Sequence, residues 1–137
     1  MREDIRLWQE DAHYDLDCAR DMLEHSRFNY VVWLARQAVE KMLKAAYMQL
    51  TGRPNPMEHN LLELARLVMG TDIQPKYHRM LSFLNPHYTV TRYVDAAVGR
   101  PSGLYDRTFA EETLHKATEL PTWIETNFLT TSAASSR

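Results

Sequence analysis

The sequence predicts an all-α fold, an antiparallel up-and-down bundle of four long helices plus a shorter one. Apolar residues recur at steps of three and four through most of the 137 residues, and almost no segment alternates with the period of a strand. Glycine and proline end these periodic segments, and most turns between them are short. Because short turns join antiparallel neighbours, we expect a single bundle domain over residues 1–129.

The first two helices are predicted from two long apolar stripes. The first stripe covers residues 3–25 and contains Ile5, Trp8, Ala12, Leu16, Ala19 and Leu23. After a turn at 25–27, a second stripe runs from Val32 to Leu50 and stops before Gly52, with two prolines beyond it. This second stripe includes several alanines, which would let a neighbouring helix approach closely, so we expect the second helix to lie at the centre.

Two shorter apolar stripes follow. One helix is predicted from near His59 to Gly70, and the next is expected to have Asp72 as its N-cap and to end at Pro86. Residues 85–104 keep no period and contain two glycines and two prolines, which predicts a long connection. Connections of this length are uncommon in compact domains and are often functional.

The last helix is predicted to start near Asp106 or Thr108, where Thr108 and Glu111 have the spacing of a capping box. Pro121 should kink it, because proline has no N–H for the carbonyl of Ala117. The final residues 130–137, TTSAASSR, lack apolar anchors and are expected to be disordered.

Composition limits the possible functions. The single cysteine, Cys18, excludes an internal disulfide and a thiolate metal site. The charged start, MREDIRLWQED, is unlike a secretory signal, and no apolar run approaches the roughly 20 residues of a membrane span. We therefore expect a cytoplasmic protein with no membrane association, and we find no motif for a cofactor or a metal ion.

Charge is distributed unevenly along the chain. The formal net charge is −2, but residues 26–107 hold 11 basic and 6 acidic side chains, whereas residues 1–25 hold 3 and 8. A modest basic excess spread over several helices favours a local anion site over a long nucleic-acid footprint. Ordinary solvated helix faces would give the same counts.

The second helix carries a polar ridge beside its apolar stripe. Gln37, Lys41 and Lys44 are spaced four and three apart, and Glu40 stands four residues before Lys44, the favourable order for a helical ion pair. A solvated face is the commoner explanation of such a ridge, and the ion pair alone would explain Lys44.

Three segments resemble those of HEPN domains in order and spacing. They are RQAVEKMLKA in the second helix, HNLLEL at 59–64 and YTVTRYVD at 88–95, and the resemblance runs from about residue 5 to 128. Two positions depart from the family's pattern: Arg36 stands where a glutamine is frequent, and Val94 replaces the usual proline.

The resemblance implies a helical bundle that commonly dimerises and is often encoded with a minimal nucleotidyltransferase in toxin-antitoxin or other defence systems. It also implies binding of a nucleotide or an RNA end. On that basis Gln37, Lys41, Lys44, His59 and Arg92 are candidate contacts to a phosphate group, because a guanidinium forms a planar fork suited to phosphate oxygens. Tyr93 or Tyr88 would stack on a base. Alternatively, Arg92 holds the long connection in place through a salt bridge to Glu40 or Asp95.

A second function implied by the resemblance is that of a metal-independent RNase. Members with this activity carry an arginine, four to six intervening residues and a histidine, which Arg20–His25 and Arg53–His59 match numerically. Chance alone supplies roughly one or two such matches in this composition. Late in the bundle, where the pair is usual, Arg107 and His115 are too far apart. The sequence therefore favours a noncatalytic binding module over an enzyme.

Two further features concern metals and partners. Glu112 and His115 have the spacing of one di-iron ligand pair, but such a site also needs a second pair and two more inward carboxylates, so surface charge explains them better. Trp33, Tyr47 and Trp123 fall at the edges of their helices' apolar stripes. Large aromatic residues there favour a homodimer formed through a helix face, unless they complete the core.

Overall fold

The computed structural model describes residues 2–129, and the all-α prediction is confirmed. The helices are α1 (Glu3–Glu24), α2 (Phe28–Thr51), α3 (Leu61–Met69), α4 (Pro75–Leu84), α5 (Val94–Ala97) and α6 (Arg107–Ile124). Between residues 2 and 129 no strand occurs, and no helix there combines the length and apolarity needed to cross a bilayer. The predicted disordered tail at 130–137 lies outside the described residues.

The helix α2 lies at the centre, as predicted. It packs against α1, α3 and α6, and half or more of its residues are buried. Its small side chains face these neighbours and are fully buried. They are Ala35, Ala38, Ala45 and Ala46. Close backbone approach on three sides brings several elements against one helix. Side chains of α2 can therefore contact groups that are far apart in the sequence.

Helix ends agree with the prediction at most positions. Gly52 ends α2 with a left-handed φ of 70°, which glycine adopts without strain. Asn60 caps α3 by accepting from the N–H groups of Leu62 and Glu63. The capping box at Thr108 is not used, because Asp106 caps α6 through the N–H of Phe109.

The start of α4 was predicted wrongly. Its first residue is Pro75, preceded by Gln74, and Asp72 is not its N-cap. Proline suits a first helical position because its φ is already helical and its missing N–H would have no partner there. The result is that α3 and α4 have 9 and 10 residues, so three helices rather than four are long. Later in the chain, α6 continues through Pro121 into a π-helical turn at Glu125–Leu129.

The long connection after α4 is made of short turns anchored to α2. Single 3₁₀ turns lie at Asn85–His87 and Pro101–Gly103, on either side of α5. The amide of Asn29, in the first turn of α2, donates to the carbonyl of Thr91 at 3.0 Å, and both residues are buried. A buried hydrogen bond of this kind is costly to lose. It holds the segment that carries Arg92 across the start of α2.

Candidate functional site

Three charged side chains of α2 are buried together. Arg36 Nη1 lies 2.9 Å from one carboxylate oxygen of Glu40, and Lys44 Nζ lies 3.1 Å from the other. The three side chains are 3%, 9% and 5% exposed respectively. We call Arg36, Glu40 and Lys44 the buried charge cluster. It holds two cations for one carboxylate, and buried charges are rarely left unbalanced.

Arg36 ties three parts of the chain together. Its guanidinium donates to the carbonyl and the side-chain oxygen of Asn85, at 3.1 and 3.2 Å, and to the carbonyl of His59 at 2.6 Å. Burial lowers the pKa of Arg36, and the contact with Glu40 opposes part of that effect. A planar fork with five donors suits this geometry, whereas a lysine could not make these contacts at once.

His59 is oriented by the same carboxylate. Its Nδ1 donates to Glu40 at 2.8 Å, and its ring stacks on Tyr88 with centroids 4.6 Å apart. The side chain remains 50% exposed. With Nδ1 donating, Nε2 is the basic nitrogen, and within residues 2–129 it has no hydrogen-bond partner.

Arg92 is surrounded by aromatic rings. Its guanidinium carbon lies 4.9 Å from the ring centroids of Trp33 and Tyr93 and 5.2 Å from that of Tyr88. Nη2 donates to the carbonyl of Tyr88 at 2.7 Å, but Nε is buried without a partner. Among residues 2–129 it forms no ion pair, so the alternative salt bridge to Glu40 or Asp95 is absent. Within the described part of the chain, Arg92 is therefore a cation without a counter-charge.

A cavity of about 100 Å³ opens between these groups. It is lined by side chains of α2, including Trp33 and Gln37, and by His59, Tyr88 and Arg92. We call it the Arg92 cavity. Four of the six candidate binding residues lie in it or against its walls, since Tyr93 packs on the Arg92 guanidinium.

Lys41 and Lys44 are placed differently. Lys41 Nζ lies 2.5 Å from Asp11 and 2.9 Å from Asp15, both on α1, and Gln37 donates to Asp15 at 3.1 Å. Although burial lowers the pKa of Lys41, the two carboxylates outweigh it and the net shift is upward. Lys44 is held by Glu40, as the sequence predicted. Both ammonium groups are thus paired with acids of this chain, although Lys44 shares Glu40 with Arg36.

Several residues of the site were not identified from the sequence. Arg36, Asn85 and Trp33 were not candidates for binding, yet Arg36 makes more contacts than any of the predicted residues. The spacing of Arg36, Glu40 and Lys44, four residues apart with alternating charge, is a pattern that would have indicated the cluster.

The aromatic residues expected at a partner surface contact other rings. The Trp33 ring lies 6.0 Å from Tyr30 as well as beside Arg92, and Trp123 stacks on Tyr77. Tyr47 packs against the core.

The two arginine–histidine pairs considered above, Arg20–His25 and Arg53–His59, are not assembled as units. Arg20 pairs with Asp17, and His25 donates to the carbonyl of Asp21 at the exposed end of α1. Of the second pair, only His59 reaches the Arg92 cavity. Across residues 2–129 no group of three or more His, Cys, Asp or Glu side chains has a metal-binding arrangement.

Comparisons with known proteins agree with this architecture. The family model of the HEPN domain matches residues 5–127. The crystal structure of TT1696 from Thermus thermophilus is similar, with a TM-score of 0.79, 28% identity and coverage of 91% of this chain and 98% of that one. The structure of ST0689, described as an archaeal HEPN homologue, gives a TM-score of 0.75 at 24% identity, covering 93% and 99%. Curated protein sequences give no significant match. With its family model matched over nearly the whole bundle, this chain belongs to the HEPN domain family.

Proposed function

We propose that this chain is a noncatalytic binding module that holds a phosphate group of a nucleotide or an RNA end in the Arg92 cavity. The observation that carries the proposal is the Arg92 guanidinium, which forms no ion pair within residues 2–129 and has aromatic rings around it. A phosphate in the cavity would supply the missing negative charge. The two cations of the buried charge cluster strengthen the positive potential behind it.

The ligand contacts in this proposal come from four candidates. Arg92 binds the phosphate, and His59 donates to it from Nε2 in the doubly protonated ring. Gln37 offers the second N–H of the amide that already donates to Asp15, and Tyr93 contacts a base or ribose. Lys41 and Lys44 do not contact the phosphate in this proposal, because their ammonium groups are already held by carboxylates.

The biological setting is part of the same proposal. We propose that the protein works in the cytoplasm as a homodimer and docks onto a minimal nucleotidyltransferase in a toxin-antitoxin or other defence system. Family membership supports this setting, since HEPN domains commonly dimerise. The proposal predicts copurification with a small nucleotidyltransferase encoded next to this chain.

Binding is tested by substituting Arg92. A nucleotide at a concentration 100 times its Kd should stabilise the wild-type protein by about 2.7 kcal/mol. Arg92→Ala should weaken binding by about 10- to 100-fold, because it removes a charge-assisted contact worth about 1.5–3 kcal/mol. Urea denaturation with and without nucleotide measures the stabilisation, and isothermal titration calorimetry with nucleoside mono-, di- and triphosphates measures the Kd values.

The matched control is Arg100→Ala, since Arg100 is an exposed arginine in the same connection. This variant should bind like the wild type. If calorimetry detects no binding of any nucleotide, or if Arg92→Ala binds nucleotide as tightly as Arg100→Ala, the proposal is wrong.

A second candidate function, that of a metal-independent RNase, is favoured by one observation. Glu40 orients His59 so that Nε2 is basic and unpartnered within residues 2–129, close to Arg92. In this reaction Nε2 takes the proton of a ribose 2′-hydroxyl, whose oxygen attacks the phosphorus. The P–O5′ bond breaks, the leaving oxygen is protonated by water, and Arg92 stabilises the added charge.

The RNase candidate predicts that RNA is cleaved in the presence of a chelator and that the product ends in a 2′,3′-cyclic phosphate. His59→Gln should reduce the rate by at least about 100-fold, since general acid–base catalysis contributes about 10²–10⁴. His25→Gln is the control and should cleave at the wild-type rate. Activity that survives His59→Gln would exclude this site as the source.

A further inference from the structure

Exposed aromatic rings continue the wall of the Arg92 cavity onto the surface. Tyr93 is 53% exposed and Tyr30 is 42% exposed. Trp33 lies between them, with its ring 6.0 Å from Tyr30 and 4.9 Å from the guanidinium carbon that also contacts Tyr93. We call Tyr30, Trp33 and Tyr93 the aromatic platform. Large aromatic side chains are normally buried to a greater extent, so three of them beside an unpaired cation require an explanation.

The platform is held in place by buried contacts. Tyr30 and Trp33 project from the first turns of α2, one of the best-packed helices of the bundle. Tyr93 follows Thr91, whose carbonyl accepts the buried hydrogen bond from Asn29. The rings therefore present pre-positioned faces, which reduces the entropy lost on binding a ligand.

The size of the cavity limits what can enter it. Its volume of about 100 Å³ is well below the roughly 300–1,000 Å³ of pockets that enclose a drug-sized ligand. A phosphate and the edge of a ribose can lie against Arg92 and His59, but the bases must remain outside. The surface that receives them is the aromatic platform, because it adjoins Arg92.

We propose that the aromatic platform is a base-stacking subsite, and that the ligand is therefore single-stranded RNA of two or more nucleotides rather than a mononucleotide. This inference rests on the proposed function of the Arg92 cavity. One base stacks on Tyr93, and the base across the bound phosphate stacks on Tyr30 or Trp33. Stacking is tolerant of sequence, since every base presents a π face. The protein thus distinguishes single strands, with free base faces, from duplexes.

The test measures how the affinity for RNA depends on the number of nucleotides. Fluorescently labelled 5′-phosphorylated oligouridylates of one to four nucleotides are titrated with the full chain, and anisotropy gives each Kd. Stacking contributes about 5- to 150-fold per base, so the dinucleotide should bind at least about fivefold more tightly than the mononucleotide. Tyr30→Ala should remove that gain and leave the mononucleotide Kd within about twofold. Tyr93→Ala should weaken binding at every length, because it loses the contact with the first base. Tyr93→Phe should bind like the wild type, because the ring and not the hydroxyl stacks.

Tyr14→Ala is the matched control, since Tyr14 is a 64% exposed tyrosine on α1. It should bind every length like the wild type. Equal affinity for all lengths would overturn the subsite while leaving the Arg92 cavity intact, whereas failure of every length to bind would overturn both proposals. A gain with length that persists in Tyr30→Ala would also overturn it. So would conversion of a dimer to a monomer by Tyr93→Ala, because the rings would then belong to a protein interface.

Discussion

Replacing Glu40 with glutamine should lower the free energy of unfolding by about 3–5 kcal/mol. The substitution keeps the length of the side chain but removes the only negative charge of the buried charge cluster. Arg36 and Lys44, which are 3% and 5% exposed, would then lie close together without a counter-charge. The new amide would also direct a donor at groups that are themselves donors. Urea denaturation followed by circular dichroism measures the loss.

The control for this prediction is Glu63→Gln. Glu63 pairs with Arg66 on the surface of α3, where their side chains are 38% and 54% exposed. A solvent-exposed pair of this kind contributes about 0–1 kcal/mol, so this variant should unfold almost like the wild type. Equal stability of the Glu40 and Glu63 variants would show that the buried charge cluster is not the stabilising unit described here.

Helical periodicity predicts the elements well because each stripe repeats several times. The stripe of α1, for example, places Ile5, Leu16 and Ala19 on one face, and all three are buried. The start of α4 is less predictable, since Asp72 and Pro75 both resemble helix starts and lie only three residues apart. Local patterns therefore define where helices exist better than where they begin.

The candidate site was only partly accessible to sequence reasoning. His59, Arg92 and Tyr93 were identified through their family resemblance, and the structure brings them around one cavity. The partners of Lys41 depend on how α1 rotates against α2, which periodicity does not specify. Arg36 was missed because its acceptors, Asn85 and His59, lie 49 and 23 residues away in the sequence.

Leu61, in the segment HNLLEL, connects the core to the candidate site. Its side chain is fully buried, and its N–H donates to the side-chain oxygen of Asn85 at 2.8 Å. The same oxygen accepts from Arg36, which also holds the carbonyl of His59. Packing of Leu61 thus helps to position Asn85 and Arg36, which hold the backbone of His59 beside the cavity.

Leu61→Ala should therefore destabilise the protein by about 2–5 kcal/mol, the usual cost of a core leucine truncated to alanine. It should also weaken nucleotide binding, because the start of α3 loses its anchor beside His59. Leu62→Ala is the matched control: this neighbour is only partly buried, and its loss should cost about 1–2 kcal/mol and leave binding unchanged. Urea denaturation and calorimetry of both variants separate the two roles. If the two leucines proved equivalent in stability and in binding, the link between the core and the Arg92 cavity through α3 would be refuted.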